Sequence, residues 1–424
     1  MSRPEPLFEW LFERQRFGVR PGLERTRRLL EMLENPQDDH RVILVGGTNG
    51  KGSTARVLAA CLTAAGVRAG LFTSPHLSRV SERFQVDGVE LPAERLGYVL
   101  AELRPAAEAL GATFFEVLTV AACRLFREAG VEVAVMEVGL GGRYDATNAL
   151  TPALSIITSV SRDHTALLGE EVSEIARDKA GIMRSGVPCL TAAAGEALPV
   201  IREEARRRRA ELRVVGREIG LRRQAGGWWG QRFTVSWGGR KLLLRSPLVG
   251  RHQLPNLALA VVAAAELGVP DAAIGRGLSR ARWPGRLERL WLRDRWVVFD
   301  GAHNPAAAAA LARELKILQP EGVTLILGVA ADKELEGILE PLRVVARAVV
   351  VTQASVSPRA LEARELAARY STPHCRADPE EAFELACRLV PPGGTLVVAG
   401  SLYLVGELRS RLRGEELEPY ARCQ

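Results

Sequence analysis

The chain has 424 residues, 47% of them hydrophobic and 25% charged, the balance of an ordinary soluble protein, long enough for two or three domains at roughly 150 residues each. That composition excludes a disordered, collagenous or coiled-coil chain. No window approaches the roughly 18 uncharged apolar residues of a membrane span, and the N-terminus MSRPEPLFEWLFERQRF is too charged for a secretory signal core, so a cytosolic protein with no membrane partner is expected. The six cysteines (Cys61, Cys123, Cys189, Cys375, Cys387 and Cys423) include no CxxC pair and read as reduced, mostly buried thiols rather than a disulfide framework or a zinc knuckle. The net charge of +7 is concentrated between Arg202 and Arg245, where 13 residues are basic and 4 acidic. Arg206 to Arg209 lie among glutamates in a helix-like stretch without the interleaved aromatics of a single-strand binder, so a solvated helix face is expected and no nucleic-acid partner. Only five lysines (Lys51, Lys179, Lys241, Lys316 and Lys333) stand among the 57 basic residues, so a lysine inside a motif stands out.

In chain order, β-branched runs at 41–47, 67–74, 131–139, 153–160 and 187–193 alternate with amphipathic stretches at 51–65, 92–109, 116–129 and 172–184. Strands that read as continuous apolar runs between helices predict a doubly wound α/β domain with a mostly parallel sheet covered on both faces. Residues 211–245 change to short alternating strands and Gly-rich turns, predicting a small antiparallel sheet appended to that domain. Helical pattern returns over 254–280, and Trp283-Pro284-Gly285-Arg286 interrupts it. Beyond it a second series of strands at 295–301, 323–329, 348–352 and 394–400 predicts a smaller Rossmann-like α/β domain. The expected boundaries are a first domain over 1–285, a linker over 286–294 and a C-terminal domain over 295–424.

Three features carry chemistry. The run GGTNGKGST (46–54) follows a strand and opens a helix, so converging backbone N–H groups, the helix dipole and Lys51 form an anion cradle for terminal phosphates. It departs from GxxxxGK[ST]: Val45 occupies the first glycine position and Gly52 follows the lysine where a hydroxyl is usual. Glu137 leaves the apolar strand VEVAVME at the edge where α/β sheets bind ligands, placed to hold Mg²⁺ or to act as a structural cap. Asp163 and His164 follow the strand ALSIITSV on the same edge.

Ten ordered signatures, GTNGKGS (47–53), TSPHL (73–77), TFFE (113–116), EVGLGGRYDATN (137–148), DHTALLG (163–169), DKAGI (178–182), GRHQLPNLALA (250–260), WPGRLE (283–288), DGAHNP (300–305) and GSLYLVGE (400–407), span nearly the whole chain. They resemble folylpolyglutamate synthase and dihydrofolate synthase, the folate branch of the Mur ligases, whose phosphate loop carries the same glycine after the lysine. The resemblance implies an ATP-dependent amide ligase that joins L-glutamate to dihydropteroate, to the γ-carboxylate of folate glutamates, or to both. A polyglutamate-only enzyme, or a Mur-type ligase with another acceptor, is the alternative. It implies ATP and Mg²⁺, with a second magnesium and a monovalent cation as options, and a monomer acting on small-molecule substrates.

Residue by residue, the resemblance implies a nucleotide site at Thr48, Asn49, Gly50, Lys51, Gly52, Ser53, Asn256, Arg286, Asp300 and His303. It implies magnesium ligands at Ser74, Glu137 and His164, and at Lys179 once carbamylated, with Lys51, Glu137, His164 and Lys179 as the catalytic set. Thr113, Phe114, Phe115, Glu116, Tyr144 and Asp145 match the pterin pocket, with Gly22 and Leu23 as its cover. The aromatics read equally as core packing, and Asn304-Pro305 as a helix N-cap with Pro at N1.

Overall fold

The structure is a computed structural model and describes residues 5–18, 20–415 and 417–418; Cys423 lies outside them. The strands are β1 (Arg41–Gly46), β2 (Ala69–Phe72), β3 (Phe84–Val86), β4 (Val89–Glu90), β5 (Val133–Glu137), β6 (Pro152–Ile157), β7 (Pro188–Thr191) and β8 (Glu211–Val214), then β9 (Gly220–Gly227), β10 (Gly230–Trp237) and β11 (Arg240–Ser246), and finally β12 (Glu288–Leu292), β13 (Arg295–Phe299), β14 (Val323–Leu327), β15 (Ala346–Val351) and β16 (Thr395–Ala399). They form three sheets, ordered β4-β3-β2-β5-β1-β6-β7-β8, β11-β10-β9 and β12-β13-β16-β14-β15.

The first sheet is parallel from β2 to β8, and its strands from β2 to β7 are buried on both faces, which is why they read as apolar runs. Along β1, Val42 and Leu44 enter one core with the helices Ala93–Leu110 and Phe114–Glu128, while Ile43 and Val45 enter the other with Lys51–Ala64 and Gln253–Glu266. The three-stranded antiparallel sheet closes the second core with Phe233, Val235 and Trp237. The C-terminal sheet repeats the scheme, with Val298 on one face and Val297 and Phe299 on the other.

Three expectations need correction. β8 falls in the stretch assigned to the antiparallel appendage, yet it pairs parallel to β7 and edges the main sheet. β3 and β4 form an unanticipated antiparallel hairpin on the opposite edge, turning at Asp87-Gly88 with both φ positive, +52° and +80°; Asp-Gly is a favoured pair for such a two-residue turn. The segment 286–294, expected to be a linker, contains β12, which folds back on β13 through Arg293-Asp294, again with both φ positive. The second sheet therefore begins inside that segment.

Candidate active site

Four adjacent parallel strands, β2-β5-β1-β6, deliver their carboxyl ends to one edge of the first sheet. Ser74 follows β2, Glu137 ends β5, the glycine loop follows β1, and Asp163 and His164 follow β6. Adjacency in the sheet thus brings together groups up to 117 positions apart in sequence, and the C-terminal domain faces them with Arg286, Asp300 and His303 across a polar cleft of about 370 Å³. Thr48, Asn49, Gly50, Lys51, Gly52, Ser53, Ser74, Glu137, His164, Lys179 and Asn256 line the same cleft.

The loop is held by both domains. Thr48 Oγ1 donates to the Ser161 carbonyl and accepts from its N–H, both at 3.1 Å, and Ser159 Oγ donates to the Asn49 carbonyl at 3.1 Å. The loop glycines are sterically fixed. Gly50 has φ +91°, and a Cβ there would lie 2.3 Å from Asn256 Oδ1; at Gly52 it would lie 2.8 Å from the Trp283 ring and 3.2 Å from Glu137 Oε2. The glycine at position 52, where the common pattern has a hydroxyl, is therefore a packing requirement.

Two lysines converge on one carbonyl. Lys51 Nζ donates to Gly47 O and Thr48 O at 3.2 Å each, and Lys179 Nζ donates to Gly47 O at 3.1 Å. Burial, reinforced by the Lys51 charge, lowers Lys179 to about 7. Glu137 is buried, accepts the Ser74 N–H at 3.0 Å, and has its pKa raised by desolvation against the opposing pull of Lys51. Burial takes His164 and His303 down to about 4, so both rings are neutral at pH 7. Asp300 accepts from the N–H groups of Leu287 and Ala302 at 3.0 Å, and burial raises its pKa.

A bridge missed by sequence reasoning crosses the cleft. Asn304 caps its helix by accepting from the Ala307 N–H at 2.9 Å, as expected, but its amide also donates to Asn49 Oδ1 at 3.0 Å and to Asp163 Oδ2 at 2.9 Å. Lys333 Nζ meets Asp163 Oδ1 at 3.0 Å. Burial pushes the Asp163 carboxyl up, but His164 and His303, protonated at the acid pH where Asp163 titrates, together with Lys333 outweigh it and hold Asp163 well below the usual carboxylate range. The rarity of lysine in the chain was the available signal for Lys333.

A second cavity of about 1100 Å³ opens beside the cleft, and the two share Ser74, Pro75, Gly139, Leu140, His164, Leu168, His303 and Leu402. Thr113, Phe114, Phe115, Glu116, Tyr144 and Asp145 line it. Phe114 stacks on Phe12 at 5.5 Å, whereas Phe115 packs on Phe72 at 5.7 Å, so the aromatics serve core and cavity together. Thr113 and Glu116 form a capping box, and Glu116 pairs with Arg25 at 2.9 Å. Asp145 caps the turn Ala146–Ala149, accepting from the Thr147 N–H at 3.0 Å. Gly22 and Leu23 are not in the wall: the preceding residues Gly18, Arg20 and Pro21 are, while Leu23 starts the helix Glu24–Met32. Arg83 was also missed. It is buried with its Nε 2.9 Å from His76 Nδ1, and burial brings its pKa down to about 10.

Among the described residues no three His, Cys, Asp or Glu side chains converge as a metal cluster. Mg²⁺ bound to a nucleotide takes one or two protein carboxylates and completes its shell with phosphate and water oxygens. The buried Glu137 carboxylate, with the Ser74 hydroxyl and the neutral His164 ring on the same cleft wall, fits that need. No described helix is long and apolar enough to cross a membrane, and on the helix Ala197–Arg208 the guanidiniums of Arg206, Arg207 and Arg208 pair with Glu203 and Glu204.

The glycine loop faces a second α/β domain across the cleft, and residues 45–264 match the Mur ligase middle domain while 285–402 match the Mur ligase glutamate ligase domain, which makes this a Mur-type ligase. The dihydrofolate synthase/folylpolyglutamate synthase of Bacillus subtilis is 33% identical over 95% of this chain and 98% of its own length, and that of Escherichia coli 34% over 95% and 94%. The E. coli FolC structure in complex with DHPP and ADP superposes with a TM-score of 0.90 at 32% identity, covering 98% of this chain and 99% of that one. The chain spans about half, 49%, of a Haloferax volcanii protein named as a probable bifunctional folylpolyglutamate synthase/dihydropteroate synthase, at 37% identity over 95% of this chain. The chain belongs to the folylpolyglutamate synthase/dihydrofolate synthase family and is a ligase.

Proposed function

We propose that this enzyme uses ATP to join L-glutamate to dihydropteroate and to the γ-carboxylate of folate glutamates, through an acyl phosphate and with release of ADP and phosphate. The observation that carries the reading is the junction of the two cavities at Ser74, Gly139, His164 and His303. It puts a polar cleft suited to a triphosphate end to end with a large aromatic-walled pocket suited to a pterin.

A carboxylate is a poor electrophile: its charge repels an amine and its oxygen leaves badly. Transfer of the γ-phosphoryl group to it creates a leaving group, and the glutamate amine then attacks the acyl carbon. In this reading Thr48, Asn49, Gly50 and Ser53 hold the triphosphate on loop and helix N–H groups, and Lys51 exchanges its carbonyl contacts for phosphate oxygens. Asn256, Arg286, Asp300 and His303 hold the rest of the nucleotide from both sides of the cleft. Ser74, Glu137 and His164 would hold Mg²⁺, which when bound neutralises charge on the moving phosphoryl group. Lys179, near 7, has a neutral amine fraction able to add carbon dioxide and become an anionic ligand for a second ion; unmodified, it adds positive charge beside the phosphates. The bridge from Asn49 and Asp163 to Asn304 and Lys333 draws the domains together and excludes water that would hydrolyse the acyl phosphate. Thr113, Phe114, Phe115, Glu116, Tyr144 and Asp145 shape the pterin pocket. We place the enzyme in the cytosol, as a monomer.

The test is ADP release with dihydropteroate or tetrahydrofolate, each with L-glutamate, and product masses read afterwards. A mass gain of one glutamate on each acceptor is expected. ADP release that ignores both acceptors while answering to another carboxylate would overturn the reading, and gain on tetrahydrofolate alone would restrict it to polyglutamylation.

A further inference from the structure

The large cavity has more room, and a different charge, than a pterin needs. Its volume of about 1100 Å³ stands above the roughly 300–1,000 Å³ that encloses a drug-sized ligand. Its walls carry both signs, but most charges are already matched. Glu116 pairs with Arg25, Lys333 with Asp163 at 3.0 Å and Arg359 with Asp332 at 2.8 Å, while Asp145 accepts backbone N–H groups. Arg83 has no carboxylate partner in the wall either, but it is buried with its Nε on His76 Nδ1; Arg16 and Arg20 differ. Both are exposed at the rim, and neither has a carboxylate partner among the described residues; Glu13, on the same rim, pairs with neither.

These two guanidiniums are nonetheless held in place. The Phe17 ring lies 5.1 Å from the Arg16 guanidinium carbon and 4.5 Å from that of Arg20. Arg14, 5.3 Å from the same ring, is buried and bonded to the carbonyls of Ala107 and Ala112, a fixed contact for that ring. Holding two cations against one aromatic ring costs Coulomb energy that a nearby anion would offset, and their preorganisation reduces the side-chain entropy lost when it binds.

The proposed reaction generates such an anion. Each extension of a folate leaves one more ionised α-carboxylate on the chain, and the new terminal γ-carboxylate must return to the junction at Ser74 and His164 for the next round. The rest of the acceptor must then extend toward the rim. We propose that Arg16 and Arg20, set on Phe17, form a subsite for the α-carboxylates of an oligo-γ-glutamyl tail, so that the enzyme binds acceptors more tightly as the tail grows. The proposal rests on the polyglutamylating half of the function above.

The test compares the full-length wild type with the double variant Arg16→Ala, Arg20→Ala and with Arg16→Glu, Arg20→Glu, by ADP release against dihydropteroate and against mono-, tri- and pentaglutamyl tetrahydrofolate. Exposed charge contacts are worth up to about 1 kcal/mol each, so losing two raises KM for the triglutamate in the alanine variant by up to about thirtyfold. The charge reversal raises it further, and KM for the monoglutamate and for dihydropteroate rises less than KM for the triglutamate. Arg16→Lys, Arg20→Lys restores part of the loss, and added salt erases the preference for long tails. An equal rise for all acceptors marks a purely structural role and overturns the subsite, as does an unchanged KM for the triglutamate. A wild type that turns over dihydropteroate but no glutamylated folate removes the subsite while sparing the ligase; one that turns over neither removes the function beneath it.

Discussion

Replacing Gly52 with the serine that commoner phosphate loops carry should harm this enzyme. Gly52 sits in the first turn of the helix Lys51–Ala64, where a residue with a Cβ would ordinarily gain up to about 1 kcal/mol of helix propensity over glycine. Here that Cβ would meet Trp283 Cζ2 at 2.8 Å and Glu137 Oε2 at 3.2 Å. Ordinary carbon contact needs about 3.5 Å, so the ring must recede by roughly 0.7 Å. Trp283 is packed against the second core of the first domain, and overpacking of that kind costs about 1–3 kcal/mol. The net is a loss of up to about 2 kcal/mol, and at about 2–4 °C per kcal/mol Tm should fall by up to about 8 °C. Glu137 is the other neighbour, so ligase kcat should fall tenfold or more even where the variant is fully folded. Scanning calorimetry and ADP release on Gly52→Ala and Gly52→Ser, each with and without Trp283→Leu, form a double-mutant cycle. Wild-type Tm and turnover in Gly52→Ser, or no relief of the Tm loss by Trp283→Leu, would refute the steric account.

Lys51→Ala removes one preorganised charge from the phosphoryl path and should lower kcat by about 10²–10³ with Tm unchanged; near-normal ligase activity would misplace the triphosphate. Asn304→Ser keeps an N-cap but loses the amide that reaches Asn49 and Asp163, so kcat/KM should fall while Tm holds, whereas Asn304→Ala should lose about 1 kcal/mol of stability as well. His40 is buried with neither ring nitrogen bonded, and burial lowers it from 6.5 to about 4. Between those values the unfolded chain binds the extra proton, so the stability is whole above pH 6.5 and drains by about 2–3 kcal/mol as pH falls toward 4. His303 and His164 drain stability across the same window, so His40→Leu should reduce the slope of Tm against pH there without abolishing it, and a slope equal to wild type would show that His40 contributes nothing.

Most of the fold was legible because buried parallel strands and amphipathic helices carry strong periodic signals. RVILV, VAVME and LSII in β1, β5 and β6 are of this kind. The errors fell on the edges. β8, with the pattern ELRV, carries polar side chains and reads like the antiparallel strands after it, and nothing within four residues states which neighbour it joins. The hairpin at Asp87-Gly88 was available from the turn chemistry, but β4 is only two residues long. β12 is half-exposed along its length and alternates weakly, which is why a strand looked like a linker.

The site was legible where one strand end carries one group, and hidden where two domains must meet. Lys51, Glu137 and His164 each follow an apolar run, so the doubly wound topology alone sends them to one edge. Asn304 announced only its local duty: the Oδ1 that caps a helix is explained by sequence, whereas the Nδ2 that reaches Asn49 and Asp163 depends on a docking no local pattern encodes. Gly52 is the intermediate case. Its departure from the common phosphate-loop pattern is visible in the sequence, but the reason is steric: Trp283 and Glu137 arrive from 231 and 85 positions away and leave no volume for a Cβ. A motif position is therefore set by the van der Waals surface around the loop as much as by the phosphate it holds, and the same glycine is expected wherever an indole and a carboxylate close over the start of such a helix.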